Sequence, residues 1–265
     1  MDTNTFLQTH PVFSLDEATK ALESSRDRIH RRMLYFIKRG KVRRLGRGVF
    51  ATVPPGTDPT TYQPDRYLTM VALRQDALFS HHSALELLGA AHSEWHICTA
   101  YTAKQRVPLE LGNNELRFLS LPKHLVRAKQ TRLGVQSVRR MNKALSITGP
   151  ERTLIEGFRE PNLVGGIEEL LESASGFPLL ETGLLCDILE LYKEKMLWAS
   201  VGWFLERYRE TFFIDESDLV AMEQNIPKSP RYLLTNQRGG TLLPRWNLIV
   251  PENFVQQGEP SDYEP

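Results

Sequence analysis

The residues best equipped for chemistry in this sequence are cationic side chains between positions 26 and 47. Arg28, Arg31, Tyr35 and Lys38 recur at helical spacing, so on a helix they share one face, with Arg32 on its flank. Guanidinium and ammonium groups carry charge and N–H donors, which suit them to phosphate oxygens and to the edges of bases. The spacing predicts a helix face that contacts a polyanion.

Two short helices are predicted to position this face. Ser14 and Glu17 have the spacing of a capping box, which predicts a helix beginning at this point. Leu15, Ala18 and Leu22 then recur at helical intervals and give that helix one apolar side. The helix is therefore expected to pack against a small core.

The second helix follows after a break of three residues. Ser24 is predicted to cap it, and it runs to about Arg39 before Gly40, a residue type suited to the left-handed position after a helix. Its apolar stripe is formed by Ile29, Met33, Phe36 and Ile37. Two helices joined by a short turn, the second with a basic outer face, are typical of a helix-turn-helix.

A basic hairpin completes the pattern. Residues 41–45 and 49–51 are predicted to pair around Gly46-Arg47-Gly48, which leaves Arg47 at the tip. With a first helix predicted before Phe13, residues 1–55, called the head below, read as helix, helix, helix and hairpin. This order predicts a winged helix-turn-helix that binds double-stranded DNA.

The charge distribution supports this interpretation. The head carries 11 Lys and Arg against 5 Asp and Glu, whereas the remaining residues carry 22 against 27. An arginine-rich helix face can also be a merely solvated surface, but here it occurs with a cap, a turn and a basic hairpin in winged-helix order. Arg28, Arg31 and Tyr35 are predicted to read bases, while Lys38 and the hairpin cations hold phosphates. The full predicted DNA-binding set is Ser24, Arg26, Arg28, Arg31, Arg32, Tyr35, Lys38, Arg43, Arg44 and Arg47.

Beyond the head, the residues predict an α+β fold. A linker rich in proline lies at residues 53–59, and residues 56–255 are predicted to form a second, mixed α+β domain. Residues 256–265 are polar and are predicted to form a disordered tail. Helices are expected at 64–74, 83–88, 150–158, 166–174, 182–192 and 197–208, and strands at 94–101, 116–121, 135–147, 232–234 and 245–250.

Enzyme chemistry finds little support in the sequence. No Asp-x-Lys, Glu-x-Lys or Asp-x-Asp occurs, so the usual carboxylate patterns of metal-dependent nucleases and nucleotidyltransferases are missing. His92 and His96 have the spacing of two zinc ligands on a helix, but the residues from Trp95 onward are predicted to form a strand, on which His96 and Cys98 share one face while His92 lies at a turn, so a zinc site is disfavoured. The roles of His81 and His82 stay open beside a structural one. The prediction is a protein without catalytic residues, metal or cofactor.

The location of the protein is also predicted from the chain. Cys98 and Cys186 lie far apart in the sequence and are predicted to be free thiols. Free thiols are the usual state of cysteines in a reducing compartment. The first residues lack a signal-peptide pattern, and the most apolar stretch, 184–205, is interrupted by charges. A cytoplasmic protein without a membrane partner is expected, and the oligomeric state is left open.

The chain resembles the AbiEi-type antitoxins, the regulator half of type IV toxin–antitoxin systems. The resemblance is carried, in order, by the runs Gly40–Phe50, Phe79–Leu85, Val135–Val138, Thr148–Glu156, Gly165–Glu169 and Pro244–Pro251. Phe50 and Glu156 depart from that pattern, in which tyrosine and aspartate are usual.

The resemblance implies specific partners. It implies a winged-helix head that binds inverted repeats in a promoter and represses its own operon. It also implies a C-terminal domain that counters a nucleotidyltransferase toxin, without requiring a direct complex. Two alternatives stay open: a regulator of a phage-defence locus without a toxin partner, and a nuclease directed to DNA by its head.

Overall fold

The structure is a computed structural model that describes residues 1–104, 107–141, 143–234 and 238–255. The predicted tail, 256–265, lies outside these residues. The fold is mixed α+β, as predicted from the sequence. The helices are α1 (Thr3–Thr9), α2 (Leu15–Ala21), α3 (Arg26–Lys38), α4 (Arg66–Leu73), α5 (His82–Leu88), α6 (Lys123–Arg127), α7 (Pro150–Arg159), α8 (Ile167–Ser175), α9 (Thr182–Tyr192), α10 (Lys195–Arg207), α11 (Arg209–Phe212), α12 (Glu216–Glu223) and α13 (Glu252–Val255).

The strands form three sheets among the described residues. They are β1 (Val12–Ser14), β2 (Val42–Gly46), β3 (Val49–Thr52), β4 (Leu78–Phe79), β5 (Ile97–Tyr101), β6 (Leu109–Leu111), β7 (Asn114–Leu119), β8 (Val135–Arg140), β9 (Lys143–Thr148), β10 (Arg231–Tyr232), β11 (Thr241–Leu243) and β12 (Leu248–Val250). Single-turn 3-10 helices occur at Pro161–Leu163 and Pro244–Trp246.

The chain divides into two compact units. Unit 1 contains residues 1–87, 94–121 and 136–147, and unit 2 contains 88–93, 122–135 and the chain from 148 onward. Unit 1 therefore extends beyond the division predicted at residue 55. The reason is packing within unit 1, because α4 contacts β1 and β3. In addition, the Lys143 ammonium lies 2.6 Å from a Glu17 carboxylate oxygen.

The head is built on a three-stranded antiparallel sheet with the order β1-β3-β2. The predicted three helices and hairpin are present, whereas β1 was not predicted. Val12 pairs with Ala51 and Ser14 with Val49, so β1 adds a third strand to the hairpin. The head core comprises Phe6, Leu7, Phe13, Leu15, Ala18, Ile29, Met33, Val42 and Phe50.

A six-stranded mixed sheet forms most of the rest of unit 1, with the order β6-β7-β5-β4-β9-β8. The pairs β5/β7 and β4/β9 are parallel, while β4/β5 and β6/β7 are antiparallel. The single predicted run at 135–147 is two strands, β8 and β9, which are adjacent in the sheet. Met141 at the end of β8 has a left-handed φ of 52°, so the chain turns there.

Unit 2 is mainly helical. The helix α7 is its centre, because it contacts α8, α9 and α10, and nearly all of its residues are buried. The indole of Trp246 lies so close to Gly202 on α10 that a Cβ atom at that glycine would lie 2.1 Å from the ring. A small sheet with the order β10-β12-β11 lies near the end of the described chain. In the described ranges, no helix combines the length and apolar character needed to cross a membrane.

Candidate nucleic-acid interface

The outer face of α3 is the most basic exposed helix face of the head. Arg28, Arg31, Tyr35 and Lys38 are all exposed, as their helical spacing predicts. The opposite side is anchored, because Ile29 and Met33 are 0% exposed and lie in the head core. Phe36 and Ile37 pack against the same core. The helix thus has a fixed orientation with its cations directed to solvent.

The C-terminal end of α3 is fixed by its backbone. Gly40 adopts a φ of 68°, the left-handed conformation predicted for the residue after the helix. Its N–H donates to the carbonyl of Ile37 at 3.0 Å, and the N–H of Lys41 donates to that of Phe36 at 3.0 Å. This pair of bonds is a Schellman motif, which ends the helix and directs the chain into β2.

The N-terminal end of α3 differs by one residue from the prediction. The N-cap is Ser25, whose side chain makes no capping bond, and Ser24 lies in the preceding turn, where its N–H donates to Thr19. The capping box of α2 was predicted correctly. The Ser14 hydroxyl accepts from the Glu17 N–H at 3.1 Å, and a Glu17 carboxylate oxygen accepts from the Ser14 N–H at 2.8 Å.

The hairpin presents Arg47 at its tip. Gly46 pairs with Val49, which leaves Arg47 and Gly48 as the two turn residues. Gly48 has a φ of 72°, and its carbonyl accepts from the Leu15 N–H at 2.7 Å. The tip is therefore attached to the start of α2, and the Arg47 side chain is exposed.

Several predicted DNA-binding residues have partners inside the protein. Arg26 forms an ion pair with Asp16 on the surface. Arg43 donates to the Tyr62 carbonyl and is half-buried, so it holds the segment that follows the linker instead of facing solvent. Arg32 donates to the Thr3 hydroxyl at 2.6 Å, which connects α3 to α1. Arg44 stays exposed and bonds only to the Gly46 carbonyl at 3.2 Å among the described contacts.

The exposed candidates for phosphate or base contact are thus fewer than the sequence indicated. They are Arg28, Arg31, Tyr35, Lys38, Arg44 and Arg47. Arg39 adds to them on the flank of α3, where its guanidinium carbon lies 5.1 Å from the centroid of the Tyr35 ring. This cation–π contact leaves the Tyr35 ring exposed.

A second basic region was missed in the sequence. The four exposed cations of residues 123–132, called the basic segment below, are Lys123, Arg127, Lys129 and Arg132. None of the four forms an ion pair in the part of the chain that the structure describes. The signal was present, because residues 116–150 contain 8 Lys and Arg and no Asp or Glu. From residue 148 to the end, by contrast, 20 Asp and Glu stand against 10 Lys and Arg.

Hydrogen bonds from the buried Arg152 side chain hold the backbone at the end of the basic segment. This side chain is fully buried, and its guanidinium donates to the carbonyls of Thr131 at 2.9 Å and Leu133 at 3.1 Å. Its Nε donates to a Glu156 carboxylate oxygen at 2.8 Å, and the same oxygen accepts from the Tyr192 hydroxyl at 2.6 Å. Burial and the Glu156 charge raise the pKa of Tyr192, so its hydroxyl stays protonated and donates. Arg152 thus has a structural role.

The buried His82 belongs to a polar network in unit 1, whereas the buried His81 contacts the Ser80 hydroxyl through Nδ1 at 2.9 Å. His82 Nδ1 lies 3.4 Å from a Glu86 carboxylate oxygen, and Arg66 and Tyr67 donate to the same carboxylate. Burial alone would raise the pKa of Glu86, but the close contact with His82, the hydrogen bond from Tyr67 and the charge of Arg66 lower it to about 2. Glu86 is therefore ionised and holds these side chains together.

The described residues contain no arrangement of side chains suited to metal or thiol chemistry. No group of three or more His, Cys, Asp or Glu side chains lies close enough there to hold a metal ion. Burial raises the pKa of the Cys98 thiol to about 12, so this thiol is neutral and unreactive.

Comparison with known proteins defines the fold alone. No family model matches the chain, and no curated protein sequence gives a significant match. Among solved structures, the chain is similar to the crystal structure of the Rv2827c protein from Mycobacterium tuberculosis, with a TM-score of 0.61 and 16% sequence identity. The match covers 93% of this chain and 89% of that chain. The mixed α+β architecture therefore has a precedent over nearly its full length.

Proposed function

We propose that this chain is a DNA-binding transcriptional regulator whose head is a winged helix. The observation that carries the proposal is the order α1-β1-α2-α3-β2-β3 around one antiparallel sheet, with exposed cations on α3 and at the hairpin tip. In such heads the second helix of the helix-turn-helix enters the major groove, and a basic hairpin reaches the backbone beside it. The outer face of α3 and Arg47 have the chemistry for these two tasks.

Each exposed residue has a role in this proposal. Arg28, Arg31 and Tyr35 lie within the first three turns of α3 and contact base edges, while Lys38 and Arg47 hold phosphates. With the exposed Arg44 added to Lys38 and Arg47, about three phosphate contacts per head correspond to a log–log salt slope near −2.7. Arg26 and Arg43 are left out of the contacts because Asp16 and the Tyr62 carbonyl already bind their guanidinium groups.

The biological role follows from the resemblance to AbiEi-type antitoxins. We propose a cytoplasmic autorepressor that binds inverted repeats in its own promoter and opposes a nucleotidyltransferase toxin, and that has no enzymatic activity itself. A regulator without a toxin partner would have the same head. The gene next to the one that encodes this chain distinguishes the two, because a nucleotidyltransferase reading frame there favours the antitoxin.

The decisive experiment measures binding of the full chain to two labelled duplexes. One duplex contains the DNA immediately upstream of its own coding sequence, and the other has the same composition in shuffled order. We expect tighter binding to the upstream DNA and a steep loss of affinity with salt. Equal, weak binding to both duplexes would remove the regulator proposal. Sustained cleavage of either duplex in the presence of Mg²⁺ or Mn²⁺ would favour the nuclease instead.

A further inference from the structure

A groove of about 1000 Å³ opens in unit 1 beside the C-terminal end of α3. Its walls are α1, the end of β3 and the proline-rich segment after it. The apolar lining includes Leu7, Val53, Pro54, Pro55, Pro59 and Tyr62. Volumes of this size accommodate small organic ligands, which bind mainly through apolar surface and a few polar groups at fixed positions.

The charged groups of the groove are all of one sign. Arg39 and Lys41 line it, and both are exposed. No carboxylate belongs to the lining within the described residues. The nearby Asp58 carboxylate accepts from the N–H and the hydroxyl of Thr60, both at 2.8 Å, so it is engaged in its own turn. The groove therefore combines an apolar floor with a cationic rim.

The walls of the groove are fixed by backbone contacts. The Schellman motif at Gly40 holds one wall, and the Val53 N–H donates to the Lys41 carbonyl at 2.9 Å. A Cβ atom at Gly40 would lie 3.0 Å from Pro59 Cγ, so the segment packs closely on the helix end. Arg43 holds the far wall through the Tyr62 carbonyl. Because these contacts exist without a ligand, binding requires little rearrangement.

We propose that this groove binds a small molecule with a flat apolar body and one anionic group, such as an aromatic carboxylate. The body packs on the prolines, Leu7 and the Tyr62 ring, and the anion pairs with Lys41 and Arg39 at the rim. Arg39 also lies on the flank of the α3 outer face. An occupant therefore neutralises a cation at the edge of the proposed DNA surface, and the ligand weakens DNA binding.

Two probes of equal shape test the charge. The full, isotope-labelled protein is titrated with 2-naphthoate and, separately, with the uncharged 2-naphthamide, while amide proton and nitrogen shifts are followed. We expect saturable shifts at Gly40, Gly56 and Thr57 with naphthoate, and about tenfold weaker binding of the amide, as the loss of one charge-assisted hydrogen bond gives. No saturable shift at these residues, or equal affinity for both probes, overturns the proposal.

Variants distinguish binding of naphthoate in the groove from nonspecific binding elsewhere on the protein. Lys41→Gln should weaken naphthoate binding about tenfold and leave the affinity for the amide unchanged. Lys20→Gln, which changes an exposed lysine outside the groove, is the matched control and should change neither. Thr57→Trp fills the groove and should abolish both shifts in a protein with an unaltered spectrum elsewhere. An unchanged naphthoate affinity in Lys41→Gln or Thr57→Trp contradicts the proposal. These titrations contain no DNA, so they test ligand binding independently of the proposed function, on which only the weakening of DNA binding rests.

Discussion

The two exposed basic regions of the molecule differ in how their charges are arranged. On α3, the cations and Tyr35 follow a helical period on a face that is opposite to a buried stripe. In the basic segment, only Lys123 and Arg127 lie on a short helix, beside the exposed Val126, and the other two cations lie in the turns after it. Both regions attract a polyanion, but only α3 presents side chains in a fixed row.

This difference separates affinity from specificity. Phosphate contacts give salt-dependent affinity for any sequence, whereas base contacts need donors held in a defined geometry within a groove. We therefore expect α3 to determine which DNA is bound. The basic segment is expected to add to the strength of binding without changing the preference.

The largest effect is expected from the double variant Arg28→Ala/Arg31→Ala. Loss of two base contacts should reduce affinity for the upstream duplex about 100-fold and make it equal to that for the shuffled duplex. Both side chains are exposed, so the circular-dichroism spectrum should stay that of the wild type. The control Lys193→Ala/Lys195→Ala removes two exposed cations of unit 2. Retained preference in the first variant would show that α3 does not read the sequence.

Neutralising the basic segment should have a smaller and more uniform effect. In the variant Lys123→Gln/Arg127→Gln/Lys129→Gln/Arg132→Gln, we expect about tenfold weaker binding to both duplexes and a salt slope reduced by about 2. The matched control with the same change of charge is Lys193→Gln/Lys195→Gln/Lys228→Gln/Arg231→Gln. If the salt slopes of the two variants coincide, the basic segment does not contact DNA and is free for another acidic partner.

A single phosphate contact is expected at the hairpin tip. Arg47→Ala should weaken binding to all sequences about three- to fivefold and reduce the salt slope by about 0.9. Fluorescence anisotropy at several salt concentrations measures both quantities. A loss confined to one base pair of the upstream duplex would instead assign base reading to Arg47.

The smallest effect is expected at Arg26, although the sequence grouped it with the other arginines. Because Asp16 pairs with it, Arg26→Ala should change DNA affinity less than about twofold. Asp16→Asn releases the guanidinium and should strengthen binding slightly. A strong loss in Arg26→Ala would mean that DNA displaces Asp16, which would add Arg26 to the α3 surface.

Local signals made much of the head predictable. The capping box at Ser14, the apolar stripe of α3 and the left-handed Gly40 each depend on neighbours within a few residues, and each was predicted correctly. The cap of α3 was placed one residue early because Ser24 and Ser25 have the same capping chemistry. The α+β composition of the body was equally visible, since its longer helices have regular apolar periods.

The unpredicted features depend on distant residues. Strand β1 is three residues long and exists only through pairing with β3. Arg43 was assigned to phosphate because nothing local reveals that the carbonyl of Tyr62 reaches it. The two-residue strand β4 is likewise defined by its neighbours β5 and β9. Sequence patterns identify which side chains carry charge, and tertiary contacts decide which of them remain exposed.

The ion pair between Lys143 and Glu17 has a consequence for synthesis of the protein. Its two residues are 126 positions apart in the sequence. Burial alone would raise the pKa of the Glu17 carboxyl that caps α2, but the contact with Lys143 lowers it. A nascent chain therefore cannot complete the first unit until β9 has left the ribosome. Glu17 therefore pairs with a residue that is synthesised much later, and a fragment cut after residue 55 would lack that contact.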